Sequence, residues 1–308
     1  MMEVCRVCER PGTHRLGSYA FCDTHYERAR RGRGSLWGAD LVSVLVLVAL
    51  VVVMGVLDPL LEGALGPTAL FWVGLALAVI ASAVWLAFFY RRDRLEPEPK
   101  GMVLQVFVLA ALLAAAVGNP VADNVYRVSD WLYRTNWAQI LGGVLVLGFS
   151  QEFLKYAAVR FSVYSSAEFD ERTDGIIYGT AAGLGYALVL NVALVLDSGG
   201  VDLGAGSIRI VLTALAHASF AGITGYFLGR QKLEARPLWW MPLGVSVAAV
   251  LNGLFFYLRG AVAQGGIGPA GGVANPWAGL ALAGALAVLV AWGLSALIRR
   301  DLAAAEAS

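Results

Sequence analysis

Apolar runs long enough to cross a hydrocarbon layer as helices recur eight times along the chain. They lie near 39–57, 69–90, 102–118, 138–161, 175–197, 208–229, 238–258 and 277–298. Short segments rich in Arg, Gly and Pro separate them, and the third run ends at Gly118-Asn119-Pro120. This pattern predicts an all-α polytopic membrane protein with about eight transmembrane helices. Runs 1, 2 and 8 carry no interior charge and are expected to face lipid. Runs 4 to 7 contain the polar residues that are costly at bilayer depth, so helices 4–7 are the predicted core. Gly175, Gly179 and Gly183, with Ala182 and Gly185 beside them, give the fifth run a smooth face for close packing. Gly225 and Gly229 repeat the pattern in the sixth.

Composition agrees with this reading. Of 308 residues, 58% are hydrophobic and only 15% charged, where soluble domains carry about 25% charged residues. A soluble or disordered chain is thereby excluded. The formal net charge is +1, a total that says nothing about nucleic acid, and only the placement of charge informs; no nucleic-acid partner is expected. With a cytoplasmic N-terminus, eighteen Lys and Arg fall in cytoplasmic segments. Four (Arg127, Arg134, Arg209 and Arg259) fall on the other side, and Lys155 lies in the membrane. The positive-inside rule then puts both termini in the cytoplasm, with the protein integral to a bacterial cytoplasmic membrane.

Before the first apolar run, residues 1–35 are polar and hold all three cysteines. Cys5-x2-Cys8 and, thirteen residues on, Cys22-x2-His25 are two chelating turns at zinc-ribbon spacing, suited to one structural tetrahedral zinc. His14 could replace a ligand, but its spacing fits less well. So small a segment has little core of its own, and metal would supply its folding energy. Its aromatic and Arg residues could meet a cytoplasmic protein partner. The expected division is 1–35 as a zinc-ribbon-like segment, 36–301 as the transmembrane domain and 302–308 as a short tail.

Inside the apolar part, Glu152 and Lys155 are three apart on one helix face, where pairing offsets part of the cost of each charge. Tyr186 and Asn191 lie in the fifth run, His217 in the sixth with Thr213 and Ser219 nearby, and Asn252 in the seventh. Intramembrane ionisable residues are candidates for a functional site.

Several motifs resemble the PrsW family of bacterial intramembrane proteases, distant relatives of the CAAX prenyl endopeptidases. Asp93-Arg94-Leu95-Glu96-Pro97-Glu98-Pro99 is similar to the acidic-proline loop before the family's core helices. Gln151-Glu152-Phe153-Leu154-Lys155 resembles its Glu-Glu-x-x-Lys motif. The longest likeness runs from Phe169-Asp170-Glu171-Arg172-Thr173-Asp174-Gly175 to Tyr186. His217-Ala218-Ser219-Phe220 and the following Gly225–Gly229 segment are similar to a third motif.

The resemblance implies an endopeptidase acting on transmembrane or membrane-anchored protein segments. Glu152, Lys155, His217, Asn191 and Asn252 are its candidate catalytic residues. The chain also departs from the family pattern, with Gln151, Leu190 and Leu251 where acids and an imidazole are expected. Glu152 and His217 alone make a poor zinc site, so a catalytic metal is not expected. Three readings follow. One is an endopeptidase with a degraded catalytic constellation, in which Glu152 is the base and an asparagine donates to the oxyanion. Another is an inactive pseudoprotease serving as an adaptor through its zinc ribbon. The third, a proton-coupled transporter, would call for inverted repeats and broken helices, which the sequence does not show.

Overall fold

The computed structural model describes residues 4–5, 10–16, 19–31, 45–46, 49, 52–58, 60, 64–91, 98–234, 236–265 and 276–307. The first apolar run lies largely outside the described residues, apart from a helical stretch at 52–58.

Near the N-terminus, strands β1 (His14–Leu16) and β2 (Tyr19–Phe21) form an antiparallel hairpin with Arg15 opposite Ala20, and α1 (Asp23–Arg31) follows. The apolar part comprises α2 (Pro67–Tyr90), α3 (Lys100–Val125), the short α4 (Val128–Trp131) and α5 (Asn136–Arg160). It continues with α6 (Arg172–Ser198), α7 (Ala205–Leu233), α8 (Trp240–Gly265) and α9 (Pro276–Ala307). Six of these helices are long and apolar enough to cross a membrane, and α9 carries a shorter apolar stretch, Leu280–Leu294. The chain is an all-α polytopic membrane protein.

Sequence-level boundaries follow from local chemistry. Helix α2 starts with Pro67 in its first turn, where a missing N–H costs nothing. Helix α6 opens on a capping box in which Glu171 and Asp174 satisfy each other's backbone N–H groups, and it ends on Gly199 in the left-handed conformation. The third run does not stop at Gly118-Asn119-Pro120. Wider π-helical turns at Ala114–Gly118 and Val121–Val125 flank the proline, and α3 continues to Val125. Such turns accommodate a residue that cannot donate into a regular ladder.

Burial is uneven among the four helices of the expected core. In the apolar windows of α7 and α6, 78% and 61% of residues are buried, against 28% for α5 and 33% for α8. The α6–α7 pair is therefore the centre of that core, with α5 and α8 packed around it. Nor is α2 a purely lipid-facing span, since its Leu77, Ala81, Trp85 and Phe89 are buried in the same apolar cluster as Ile210 and Ala214 of α7.

The α6–α7 contact is made by missing side chains. A Cβ on Gly175, Gly179 or Gly183 would lie within about 2.5 Å of the carbonyl oxygens of Gly225, Ala221 and His217 respectively. Gly183 thus rests on the backbone of the one histidine of the apolar helices. On the other side, a Cβ on Gly253 of α8 would collide with the Val144 backbone of α5, and one on Gly148 of α5 with the Ala249 carbonyl of α8. These close approaches set the rotations of α5, α7 and α8 that aim their polar residues inward. Gly183→Val should force α6 and α7 apart and cost about 1–3 kcal/mol from overpacking. A lowered thermal midpoint of the purified protein would check this, and an unchanged midpoint would contradict it.

Candidate active site

Glu152 lies on α5 eight residues before Arg160, about 12 Å from that end of the helix. Its side chain and that of Lys155 are fully buried, and the ammonium donates to Glu152 Oε1 at 2.5 Å. The same Lys155 Nζ lies 2.9 Å from His217 Nδ1 on α7. From α8, Asn252 Nδ2 donates to Glu152 Oε1 at 2.9 Å and to Gln151 Oε1 at 3.0 Å. Tyr186 of α6 stacks on the His217 ring with centroids 6.1 Å apart, and Lys155 Nζ lies 5.4 Å from the centre of the Tyr186 ring. Four helices therefore deliver Glu152, Lys155, His217, Asn252 and Tyr186 to one buried knot.

Two features of the knot bear on chemistry. Glu152 Oε2 is buried and has no hydrogen-bond partner among the described residues, an arrangement that is costly without a role. Lys155, with donors only, makes Nδ1 of His217 the acceptor. The hydrogen-bond pattern therefore assigns the ring proton to Nε2. His217 thus turns a donor toward whatever occupies its other side.

The remaining candidate, Asn191, is buried on α6, and its Nδ2 donates to the Ile210 carbonyl of α7 at 3.1 Å. This ties the two core helices two turns away from His217, and Asn191 makes no hydrogen bond to the knot. Asn252 has committed both amide hydrogens to Gln151 and Glu152, so neither is left for an oxyanion. That leaves the amide N–H groups of Gln151, the residue standing where a second acid was expected. Leu251 packs against the main apolar core.

A separate buried acid escaped the sequence reading. Glu98, just before α3, accepts a short hydrogen bond from the Tyr178 hydroxyl of α6. Asp174 accepts from the backbone N–H groups of Asp170 and Glu171. These contacts pin the loop before α3 to the start of α6. Next to them, burial pushes the Tyr164 phenol above its ordinary range. The only available signal was the Glu98-Pro99 and Asp174 positions within the likeness already noted.

In the N-terminal segment, Cys5 Sγ and Cys22 Sγ lie 3.6 and 3.3 Å from His25 Nδ1. All three ligand atoms fall within 4.8 Å of one another, so this group could hold a metal ion. Cys8 is outside the described residues. His14 points elsewhere: it pairs with Asp23 at 2.8 Å and stacks on Tyr26. Hydrogen bonds from Thr13 and His14 hold the Asp23 carboxyl below its usual range.

The chain is similar to known proteins over the region that holds these residues. Residues 98–292, which contain the whole knot, match the family described as PrsW family intramembrane metalloprotease. The chain belongs to the PrsW family. Protease PrsW of Halalkalibacterium halodurans is 30% identical over 182 residues, covering 59% of this chain and 80% of that protein. Protease PrsW of Bacillus subtilis is 29% identical over 186 residues, with coverages of 58% and 79%. The Clostridioides difficile protein of the same name is 24% identical over 186 residues, with 59% and 77% covered. No solved structure matches the chain. The matched region begins at Glu98, so the N-terminal cysteine segment lies outside what PrsW-family membership covers.

The metal in the family's description can be tested against the donors present. A catalytic zinc takes three protein ligands and keeps one position open. Among the described residues of the knot there is one carboxylate and one imidazole. Assigning the ring proton to Nε2 removes the imidazole's free lone pair while Lys155 occupies Nδ1. The remaining groups are the Gln151 and Asn252 amides, and among the described residues the one cluster of three Cys, His or acid residues placed to hold a metal is Cys5, Cys22 and His25. The knot does not fit a three-ligand metal centre.

Proposed function

We propose that the chain is an intramembrane endopeptidase that hydrolyses transmembrane or juxtamembrane segments of other proteins without a metal ion in the membrane. The observation that carries this reading is the buried Glu152 carboxylate. One of its oxygens is clamped by Lys155 and Asn252, and the other has no hydrogen-bond partner among the described residues.

Peptide hydrolysis needs a base for water and donors for the oxyanion. Glu152 Oε2 takes one proton from water as the water oxygen bonds to the scissile carbonyl carbon. The His217 Nε2–H and the Gln151 amide supply donors to the resulting oxyanion. The proton on Glu152 then passes to the amide nitrogen as the C–N bond breaks, giving a free amine and a new carboxyl terminus. Lys155 positions both reacting groups by bonding Glu152 and His217 at once, and Asn252 is a positioning residue for Glu152.

Residues 1–35 act as a cytoplasmic zinc-ribbon-like module on the transmembrane domain 36–301, with 302–308 as a tail. Arg160, Arg172, Arg230, Lys232 and Arg236 gather at one end of the bundle, partly neutralised by Glu234. This end faces the cytoplasm in our reading. A second reading, a pseudoprotease that binds membrane segments and recruits a cytoplasmic partner through the N-terminal module, draws on Leu190 and Leu251 at positions where the family carries an acid and an imidazole.

New N-termini in membrane fractions from cells expressing the wild type or Glu152→Gln separate the two. The protease reading expects new termini within or beside apolar spans that depend on Glu152 and persist in the presence of a chelator. Identical terminal profiles favour the adaptor, and chelator-sensitive cleavage by a Cys5→Ser/Cys22→Ser variant would overturn the metal-free mechanism.

A further inference from the structure

Arg209 and Arg259, which the charge pattern puts on the non-cytoplasmic side, lie on helices α7 and α8 and are half-buried. They line a cavity of about 310 Å³ walled by Leu194, Ser198, Val201 and Leu280, where the ends of α6 to α9 meet. Arg209 Nε is buried with no hydrogen-bond partner, and neither guanidinium has a carboxylate within 4 Å among the described residues. Both guanidiniums line the same cavity. Asp202, on the cavity wall, is exposed and accepts from the Gly206 N–H at the start of α7. Two guanidiniums in a half-buried, apolar-walled cavity constitute an anion site, and the planar fork of Arg suits a carboxylate.

Position along the helices indicates which anion. Arg209, Thr213 and His217 are four apart on one face of α7, and Asn252 and Arg259 are seven apart on one face of α8. Arg259 Nη1 donates to Thr213 Oγ1 at 2.9 Å, one turn from His217. The cavity therefore continues the seam that holds the Glu152 knot, about 10 Å from Asn252 along α8. That distance equals about three residues of extended chain. A lipid phosphate would meet these cations at the lipid-facing rim, whereas Arg259 turns inward along the seam.

We infer that the Arg209–Arg259 cavity receives an Asp or Glu side chain of the protein segment being cut, about three residues from the scissile bond. This rests on the reading of Glu152 and His217 as the reacting site. The test measures binding and cleavage separately. Wild-type protein in phosphatidylcholine nanodiscs is titrated with Leu/Ala transmembrane peptides of about 20 residues. Each carries a single Glu, or Gln, at successive positions in the half that reaches the α6–α7 loop.

The expected result is binding about tenfold tighter for Glu than for Gln at one or two adjacent positions. The preference should fall to within about twofold in Arg209→Gln/Arg259→Gln and survive in part in Arg209→Lys/Arg259→Lys. Equal affinities for the Glu and Gln peptides on the native protein would overturn the inference, as would a preference that survives the double Gln variant. Loss of the preference when about a third of the lipid is phosphatidylglycerol would assign the site to lipid phosphate and also overturn it. Glu-dependent binding without any cleavage would leave this site standing and count against the protease reading alone.

Discussion

Glu152→Gln is expected to lower cleavage by at least about 10²-fold, the contribution of a positioned general base. The amide still accepts from Lys155 and Asn252 through Oε1, so the geometry of the knot is preserved while the basic oxygen is lost. The substitution also leaves Lys155 as a buried cation without its counter-charge, and breaking one side of a buried pair costs about 3–5 kcal/mol. Loss of activity alone would therefore be ambiguous. Glu152→Gln/Lys155→Met removes both charges and should recover most of the thermal midpoint while remaining inactive. Cleavage within tenfold of wild type in either variant would remove Glu152 from the chemistry. Recovery of activity together with stability in the double variant would make the knot a folding device and nothing more.

The parts of this picture that the sequence disclosed are those governed by local spacing. Apolar run length located α2, α5, α6, α7 and α8 to within a few residues, because hydrocarbon thickness fixes how long a span must be. The Glu152–Lys155 pair followed from an i, i+3 spacing. Convergence of His217 and Asn252 on that pair depends on how α7 and α8 are rotated about their axes. Hydropathy carries no such information when every face is apolar. The rotation is set by Gly183 against the His217 carbonyl and Gly253 against Val144, contacts between residues 34 and 109 positions apart.

For the same reason the Arg209–Arg259 cavity was not legible: the two residues are 50 positions apart, and each alone reads only as a charge on the non-cytoplasmic side. Asn191 is the converse case. A polar residue at depth reads as functional, and here its amide bonds a carbonyl of the neighbouring helix. Pro120 likewise reads as a helix end until π-helical turns absorb it.

Metal content supplies a second decisive result, because the protein has two places where an ion could be expected and the proposals treat them oppositely. Purified wild-type protein should carry about one zinc per chain, held by the N-terminal thiolates and imidazole. Cys5→Ser or Cys22→Ser should lower this to below about 0.2 per chain, since a small segment with little core loses its fold with its metal. Glu152→Gln/His217→Ala should leave the zinc content unchanged. If that variant instead lost one equivalent, the knot would be a metal centre after all. Lys155 would then have to leave His217 Nδ1 so that the imidazole could ligate. The two sets of variants, measured on the same preparations, therefore assign the ion to one end of the chain or the other. They also decide whether Lys155 serves as the cation that a metal would supply in other members of the family.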